Sequence, residues 1–376
     1  MKRITILLLY ALSSQLSVFG QGSLTPPGPP EPTMKTLEQI ESRTPISSAP
    51  YTITASGSYY LTQDITAGPG TNGIVILASD VSIDLNGYGV IGGGGLRGIT
   101  GAFGGGQYTN IQIRNGYVKD WTQRGVDLGT TVGCRIEYIT AKENTAAAFL
   151  TGVSSVISHC MAFNNGTHGI QPGEGSVIVH STARANGGRG ILTSSRTLVS
   201  QCAAYGNGES GIFLGSDSAA LDSSSHSNTG NGIEGSSHAL ISRCAATSNM
   251  QTGIVVWGES TVRDCFVRGN QEVGIAVGIG LGSTISENHV VGNGAAGIRI
   301  QSTDNTIVGN TLYGNQGGVV ATSPNNLIIQ NRARRNPTGT DSNFVFTALQ
   351  RFGPTNNLFG TDGTITNQNP WANFSH

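Results

Sequence analysis

Short apolar runs separated by polar turns make up most of the chain. From Asn144 to Asn336 they recur at a nearly fixed interval. In CAAYGNGESGI (202–212) a small residue opens the run, an asparagine follows five positions on, and Gly-Ile comes four beyond that. The same asparagine recurs 21 residues apart six times, then at intervals of 23, 22 and 21. It occupies Asn144, Asn165, Asn186, Asn207, Asn228, Asn249, Asn270, Asn293, Asn315 and Asn336. A fixed period of this size indicates stacked repeats, each too small to bury a face alone.

Two repeat architectures have a period in the twenties with an asparagine column. Leucine-rich repeats need several leucines per repeat, whereas leucine is sparse here and the runs are short and β-branched. No segment of a repeat has helical periodicity. The pattern therefore predicts an all-β, single-stranded parallel β-helix with about 21 residues per coil. Successive coils should lie about 4.8 Å apart, the spacing of paired strands.

Stacking explains why the asparagine recurs. Identical positions of successive coils lie above one another, so asparagines in one column can pass side-chain hydrogen bonds along it. We also expect the asparagine itself to adopt the left-handed turn conformation that this residue tolerates. The column five residues earlier is small, with cysteine or serine, until Asn288, Asn310 and Asn331 take it over. That change predicts a second, internal amide ladder.

Composition agrees with a tightly turned β structure. Charged residues make up only 11% of the chain, and its 55 glycines are about twice the usual share. A formal net charge of -1 gives no general field for nucleic acid or anionic lipid, so neither is a predicted partner.

The N-terminal residues MKRITILLLYALSSQLSVFG have a basic start, an apolar run and small residues near Gly20. They predict a signal peptide (1–20) and an exported protein, secreted or at the cell surface, with a buried first helix as the alternative. No other stretch is apolar enough to span a bilayer. We then expect a Pro-rich linker (21–34), an N-terminal cap segment (35–66) containing a short helix over 34–43, the β-helix (67–336) and a C-terminal cap or tail (337–376).

Five cysteines in an exported protein raise the question of disulfides. Cys160 and Cys202 are two coils apart, about 9.6 Å by the strand spacing, which is too far for a bond. Only Cys244 and Cys265 occupy neighbouring coils. We expect buried free thiols, and a bridge between this one pair stays open.

The repeat N-x-x-x-G-I, from Asn144 to Asn336, resembles the right-handed parallel β-helix repeat of pectin lyase-like proteins. VSIDLNGYGVIGG (81–93) resembles the first coil of that superfamily, and PTMKTLEQIESRTPI and NPWANF resemble the two ends of an exported bacterial group within it. The resemblance implies a right-handed coil. It selects no activity, because the superfamily includes lyases, polygalacturonases, epimerases and non-catalytic surface proteins.

Motifs of the catalytic members are absent, so catalytic candidates rest on position alone. Asp264 and Glu287 occupy neighbouring coils six residues before ladder asparagines, and they are the one acid pair that the repeat places together. Asp120 and Arg124 belong to YVKDWTQRGVDL (117–128), the densest polar and aromatic group in the chain. The alternatives are a solvated acidic edge and an ordinary loop. We predict no cofactor or metal, since no aspartate cluster suited to calcium is present.

A column two residues before the asparagines alternates aromatic and basic side chains. Its members Arg184, Tyr205, His226, Arg268 and Tyr313, together with Trp121, are candidates for carbohydrate binding. Aromatic faces can stack on sugar rings and arginine can hold uronate carboxylates. An exposed edge with a few aromatics is the alternative.

A third outward column, six residues after the asparagines, is too apolar for open water, with Leu150, Leu192, Phe213 and Val255. We expect the tail over 344–359 to cap the helix or to cover this column as a strap. The sequence thus favours an exported protein that binds an extracellular, acidic polysaccharide, with cleavage left open. The alternative is a non-catalytic structural or adhesion element of the cell surface or matrix.

Overall fold

The computed structural model describes residues 42–101, 107–336, 343–347, 349–357 and 369–375. The predicted signal peptide, the linker and nearly all of the predicted helix over 34–43 lie outside these ranges. The chain divides into the compact units Met1–Arg43 and Thr44–His376, and every described strand belongs to the second. The described ranges contain strands, turns and bends without a helix, and therefore no helix able to cross a membrane.

Each coil of the second unit contributes three short strands, as in Ile170–Gln171, Val177–Val179 and Thr182–Arg184. Each strand pairs in parallel with its equivalent one coil away, so that Val177 lies opposite Leu198 and Thr182 opposite Ala203. The three stacks of strands are called sheets 1, 2 and 3 in the order in which the chain visits them within a coil. The predicted all-β parallel β-helix is confirmed.

Sheet 1 has 14 described strands. They are Tyr51–Ile53, Ile74–Ile76, Ile99–Gly101, Val126–Val132, Phe149–Val153, Ile170–Gln171, Ile191–Leu192, Ile212–Leu214, Ile233–Gly235, Ile254–Val256, Ile275–Val277, Ala296–Ile300, Gly317–Ala321 and Phe344–Phe346.

Sheets 2 and 3 are continuous through two long strands, Ile111–Lys119 and Arg135–Lys142, which belong to both. The other strands of sheet 2 are Thr44–Ile46, Gly57–Leu61, Val81–Asp84, Val156–Ser158, Val177–Val179, Leu198–Ser200, Ala219–Leu221, Leu240–Ser242, Thr261–Arg263, Thr284–Ser286, Thr306–Val308, Leu327–Ile329 and Arg351–Phe352. Those of sheet 3 are Ile65–Ala67, Gly89–Gly92, Met161–Phe163, Thr182–Arg184, Ala203–Tyr205, Ser224–His226, Ala245–Thr247, Phe266–Arg268, His289–Val291, Thr311–Tyr313, Arg332–Arg334, Thr355–Asn357 and Asn373–Ser375.

The core runs along the inside of the coils as columns of identical or similar residues. Ile170, Ile178 and Ala183 point inward from sheets 1, 2 and 3 of one coil, and all three are fully buried. Alternate residues of the same strands point outward, because side chains alternate across a strand. Aliphatic side chains in sheets 1 and 2 and mostly small ones in sheet 3 therefore fill a narrow interior.

The predicted asparagine ladder is confirmed, but its backbone conformation differs from the expectation. Asn165 Nδ2 donates to Asn186 Oδ1 at 2.9 Å, and the same oxygen accepts the Asn165 backbone N–H at 3.2 Å. The residue before each ladder asparagine adopts the left-handed conformation, as at Asn164 (φ 54°) and Ala185 (φ 51°), whereas the ladder asparagines have negative φ. The asparagines recur because each buried side-chain amide satisfies hydrogen-bonding groups of a neighbouring coil, and not because their own backbone conformation requires asparagine.

The second amide ladder is also confirmed. Asn288 donates through Nδ2 to Asn310, and Asn310 to Asn331, each at 2.9 Å. Asn331 donates in turn to Asn373 Oδ1 at 3.3 Å, which brings the C-terminal segment into the ladder.

Parallel pairing extends beyond the predicted β-helix boundaries, residues 67 and 336. Tyr51–Ile53 pairs with Ile74–Ile76 in sheet 1 and Gly57–Leu61 with Val81–Asp84 in sheet 2, so the two strands predicted as a hairpin or pair lie in different sheets. These early coils lack the N-x-x-x-G-I repeat, which is why the period does not reveal them.

The described part of the C-terminal segment follows the cap alternative and not the strap. Phe344–Phe346 pairs with the edge of Gly317–Ala321, and Asn373–Ser375 pairs with Arg332–Arg334. The described part of the tail therefore adds a further coil at the end of the stack, and sheet 1 keeps its outward column of partly exposed residues.

Cys160, Cys202, Cys244 and Cys265 share one buried column with Ser181 and Ser223, Cys134 lies outside it, and all five thiols are free. Burial raises the pKa of Cys160 to about 12 and that of Cys202 to about 11. Cys244 and Cys265 lie on neighbouring coils, and burial together with the hydrogen bond between the two sulfurs raises the pKa of Cys265.

Candidate functional site

The outer face of sheet 3 carries two columns of side chains, because the middle residue of each strand points inward. The first column, aligned by strand register, is Thr140, Met161, Thr182, Ala203, Ser224, Ala245, Phe266, His289, Thr311 and Arg332. The second is Lys142, Phe163, Arg184, Tyr205, His226, Thr247, Arg268, Val291, Tyr313 and Arg334. This pair of columns is called the sheet 3 face.

The sheet 3 face brings together Arg184, Tyr205, His226, Arg268 and Tyr313, as the repeat predicts. Neither column contains an acidic residue between the two ends given above. Arg184 and Arg268 have no ion-pair partner in the part of the chain that the structure describes, and they lie four coils apart, about 19 Å by the strand spacing. The face is thus a local cationic surface on a chain of nearly zero net charge.

The aromatic side chains of this face contact one another or neighbouring cations along the columns, and their binding of sugar rings stays a prediction. The rings of Tyr205 and His226 stack on each other with centroids 4.8 Å apart and planes 5° apart. A stacked pair covers the shared faces, so it offers mainly ring edges, the Tyr205 hydroxyl and the imidazole nitrogens to a ligand. The stacking follows from the fold, because the coil spacing is close to the separation of stacked rings.

Cations lie over Phe163 and Tyr313, whereas Phe266 of the first column contacts His289 edge-on with centroids 5.5 Å apart. The Phe163 ring lies between Lys142 Nζ at 5.5 Å and the Arg184 guanidinium at 5.2 Å from its centroid. Further along, the Arg334 guanidinium lies 6.0 Å from the centroid of Tyr313, and Arg335 Nη1 donates to the Tyr313 hydroxyl at 3.2 Å. The face therefore presents positive charge and hydrogen-bonding groups more than apolar ring surface.

Trp121 is not available to a ligand, which corrects its assignment as a carbohydrate-binding candidate. Its side chain is only 1% exposed, and Nε1 donates to the Val90 carbonyl at 3.1 Å. Four glycines leave the space that its indole fills, since a Cβ at any of them would approach the ring to within about 3 Å: Gly73, Gly92, Gly95 and Gly98. Trp121 is a core residue of the early coils.

Burial of Trp121 separates the polar residues on either side of it. Asp120 is exposed in a left-handed turn (φ 63°) and forms an ion pair with Lys119 at 3.1 Å. Arg124 lies beyond the tryptophan and contacts Asp127 on sheet 1. The segment YVKDWTQRGVDL therefore supplies no single cluster that combines Asp120 with Arg124.

Asp127 is a buried carboxylate on the outward side of sheet 1. Its oxygen Oδ2 lies 2.9 Å from Arg124 Nη1 and 3.0 Å from Arg97 Nε, and its side chain is 1% exposed. Two guanidinium groups beside one carboxylate satisfy the buried charge and leave this cluster net positive. Asp127 and Arg124 both belong to the segment YVKDWTQRGVDL that the sequence analysis identifies. Arg97 contacts Asp127 from the preceding coil and lies outside that segment.

Asp264 and Glu287 lie on consecutive left-handed turns between sheets 2 and 3, with φ of 55° and 54°. The equivalent turns of successive coils, from Tyr138 to Gln330, are called the turn column. In this column Arg243 donates two hydrogen bonds of 2.7 Å to Asp222, which lowers the pKa of Asp222. Asp264 contacts Arg263 at 3.5 Å, whereas Glu287 extends over Gly309 of the next coil. The two carboxylates are thus directed to different partners and do not form the predicted acid pair.

Glu287 instead lines a cleft at the C-terminal end of the sheet 3 face. Thr311 and Arg332 of the first column and Gln330 of the turn column share this cleft. The sequence analysis missed Arg332, although the column four residues before the ladder asparagines would have revealed it. In the described ranges no three His, Cys, Asp or Glu side chains converge to hold a metal ion.

The family model described as "Right handed beta helix region" matches residues 210–344. The chain therefore has a right-handed parallel β-helix fold, of which this family model covers the later coils. Two similar solved structures are A-modules of Azotobacter vinelandii mannuronan C-5 epimerases. The AlgE6 module has a TM-score of 0.58 at 16% identity, covering 79% of this chain and 91% of that one, and the AlgE4 module has 0.55 at 17%, covering 70% and 88%.

A third similar structure, the periplasmic alginate epimerase AlgG, has a TM-score of 0.51 at 14% identity and covers 76% of this chain and 79% of that one. No curated protein sequence matches this one. At these identities the likeness is one of fold. Together with the family model, it confirms the predicted right-handed parallel β-helix fold.

Proposed function

We propose that this protein is exported and binds an extracellular acidic polysaccharide along the sheet 3 face. The observation that carries the proposal is that Arg184 and Arg268 have no ion-pair partner among the described residues, on a face whose two columns contain no acidic residue. A polyanion that lies along the columns can contact several of these groups at once. Each contact adds a charge-assisted hydrogen bond, which is stronger than a neutral one.

The similar structures support a carbohydrate ligand. Their names describe them as epimerases of mannuronan and of alginate, which are polymers of uronic acids. Export is supported by the signal-like composition of residues 1–20. The proposal covers binding, and cleavage is an outcome of the same experiment.

The experiment measures retention of the mature protein on polygalacturonate, alginate and a neutral glucan, together with new reducing or unsaturated ends. We expect retention on an acidic polymer that weakens at least about tenfold in the double variant Arg184→Gln/Arg268→Gln. Arg299→Gln on sheet 1 is the charge-matched control for each of the two single substitutions and should retain the polymer. Equal retention by the double variant and the control would reject this face.

A structural or adhesion element is the second candidate, because three buried polar ladders run through the coils and would serve a long rigid rod equally well. The third of them joins Ser283, Asn305 and Asn326. An absence of retention on every polymer by the unmodified protein would favour this candidate.

A further inference from the structure

A cleft of about 490 Å³ lies at the C-terminal end of the sheet 3 face, between the turn column and the tail. Its lining includes Glu287, Gly309, Thr311, Gln330, Arg332 and Phe374. Thr311, Arg332 and Phe374 are successive members of the first column of the sheet 3 face, so the cleft is continuous with that face.

Gly309 creates the space that Glu287 occupies. A Cβ at this position would lie within van der Waals contact of the Glu287 carboxylate, at 2.1 Å from Oε1. The other described positions of the turn column, from Tyr138 to Gln330, carry side chains with positive φ. Glycine at 309 (φ 68°) is therefore not needed for the backbone alone, and its lack of a side chain lets Glu287 extend into the cleft.

Glu287 and Arg332 face the same cleft without pairing to each other. Within the described ranges neither side chain has an ion pair or a hydrogen bond. Opposite charges in the turn column do pair where they lie on neighbouring coils, as Arg243 does with Asp222 at 2.7 Å. The cleft thus holds one anion and one cation whose hydrogen-bonding capacity is unused.

We propose that this cleft binds the terminal uronic acid unit of a polysaccharide chain. Arg332 would hold the sugar carboxylate, and Glu287 would accept hydrogen bonds from a pair of hydroxyl groups. The Thr311 hydroxyl and the partly buried ring of Phe374 complete a site with polar and apolar sides.

This inference rests on the proposed function, because the remainder of the chain would follow the sheet 3 face away from the cleft. It adds that the protein recognises a chain end, whereas the columns alone would accept any internal stretch. A site with both charges also distinguishes uronic acids from neutral hexoses, which offer Arg332 no carboxylate.

The test uses saturation-transfer NMR of the mature protein with glucuronate, galacturonate, mannuronate and guluronate, each against its neutral hexose. We expect one acid to bind and its neutral hexose not to bind. Arg332→Gln and Gly309→Ala should each weaken that binding at least about tenfold. Gly309→Ala keeps both charges and displaces the Glu287 carboxylate from the space beside position 309. The other described positions of the turn column have non-glycine residues. Arg299→Gln on sheet 1, away from the cleft and the sheet 3 face, is the control and should bind the monosaccharide normally.

Polymer retention in the same variants separates the two proposals. Retention on an acidic polymer without binding of any monosaccharide would overturn the cleft and leave the sheet 3 face intact. Monosaccharide binding that is unchanged in Arg332→Gln and Gly309→Ala would also overturn the cleft. Monosaccharide binding that these variants abolish, in a protein whose retention ignores Arg184 and Arg268, would support the cleft and reject the face.

Discussion

Asn186 Nδ2 donates a hydrogen bond of 3.0 Å to Oδ1 of Asn207, and the same oxygen accepts the Asn186 backbone N–H at 3.1 Å. Asn207 in turn donates to the Ala183 carbonyl at 3.1 Å and to Asn228 Oδ1 at 2.9 Å. One buried side chain thus completes the hydrogen bonding of three coils. The relationship repeats along the solenoid, so the ladder links neighbouring coils as well as closing each turn.

Asn207→Ala should lower the free energy of unfolding by about 3 kcal/mol, because it leaves several buried donors and acceptors unsatisfied. Chemical denaturation followed by circular dichroism measures the change. Asn164→Ala is the matched control: Asn164 is exposed, and Ala185 already occupies its position one coil on with a φ of 51°. Equal effects of the two substitutions would show that the ladder does not hold the coils together.

The buried thiols predict a loss of stability in alkaline solution. Burial raises the pKa of Cys160 to about 12 and of Cys202 to about 11, whereas both thiols titrate near 9 once the chain unfolds. Their contribution is complete below about pH 9 and falls as the pH rises toward 11, because only the unfolded chain then releases the protons. We expect a loss on the order of 1 to 4 kcal/mol over this range.

The double variant Cys160→Ser/Cys202→Ser should remove this alkaline loss and change the stability at pH 7 little, since Ser181 and Ser223 occupy the same column. Unfolding midpoints of the variant and the unmodified protein are compared at pH 7, 9 and 10.5. The difference between the two proteins isolates the thiols from other alkaline titrations. Parallel pH dependence of both would contradict the assignment.

The fold could be predicted from the sequence because the repeat acts at every coil. A fixed period places Asn165 above Asn186 and Arg184 beside Tyr205 without further information. The period does not determine how a side chain turns within its column. It therefore missed that Tyr205 and His226 cover each other's faces.

Interior features that do not repeat from coil to coil could not be predicted from the sequence either. Trp121 looked like a surface residue because charged residues flank it, and four glycines from two preceding coils are needed to recognise its pocket. The cleft at Glu287 depends on the single gap at Gly309 and on the non-repetitive tail. Features that repeat in every coil can be predicted from the columns of the sequence, whereas a feature that occurs in a single coil cannot.

Trp121→Phe should lower the free energy of unfolding by about 1 to 3 kcal/mol, through loss of the hydrogen bond to the Val90 carbonyl and part of a buried ring. Retention on an acidic polymer should be unchanged, because the side chain is buried. Denaturation and retention are measured on the same preparation. Normal stability with lost retention would return Trp121 to the binding surface.

Tyr205→Phe should weaken retention on an acidic polysaccharide nearly as much as Tyr205→Ala. Stacking on His226 covers one face of the Tyr205 ring, so the hydroxyl is the main group that we expect a ligand to contact. Both substitutions remove that hydroxyl, and only the alanine removes the ring. Retention kept by Tyr205→Phe and lost by Tyr205→Ala would mean that a sugar contacts the ring face after all.

Asp127→Asn should lower the free energy of unfolding by about 2 kcal/mol, because Arg97 and Arg124 then face each other across a neutral amide. Asp217→Asn is the control, since Asp217 is largely exposed and its carboxylate has one ion-pair contact among the described residues, to His238 at 3.2 Å. That substitution should change the stability by no more than about 0.5 kcal/mol. Denaturation at low and at high salt is the measurement, and the excess effect at Asp127 should shrink as salt screens the repulsion between the two arginines. An effect at Asp127 no larger than at Asp217 would show that the buried carboxylate does not hold this pair of arginines in place.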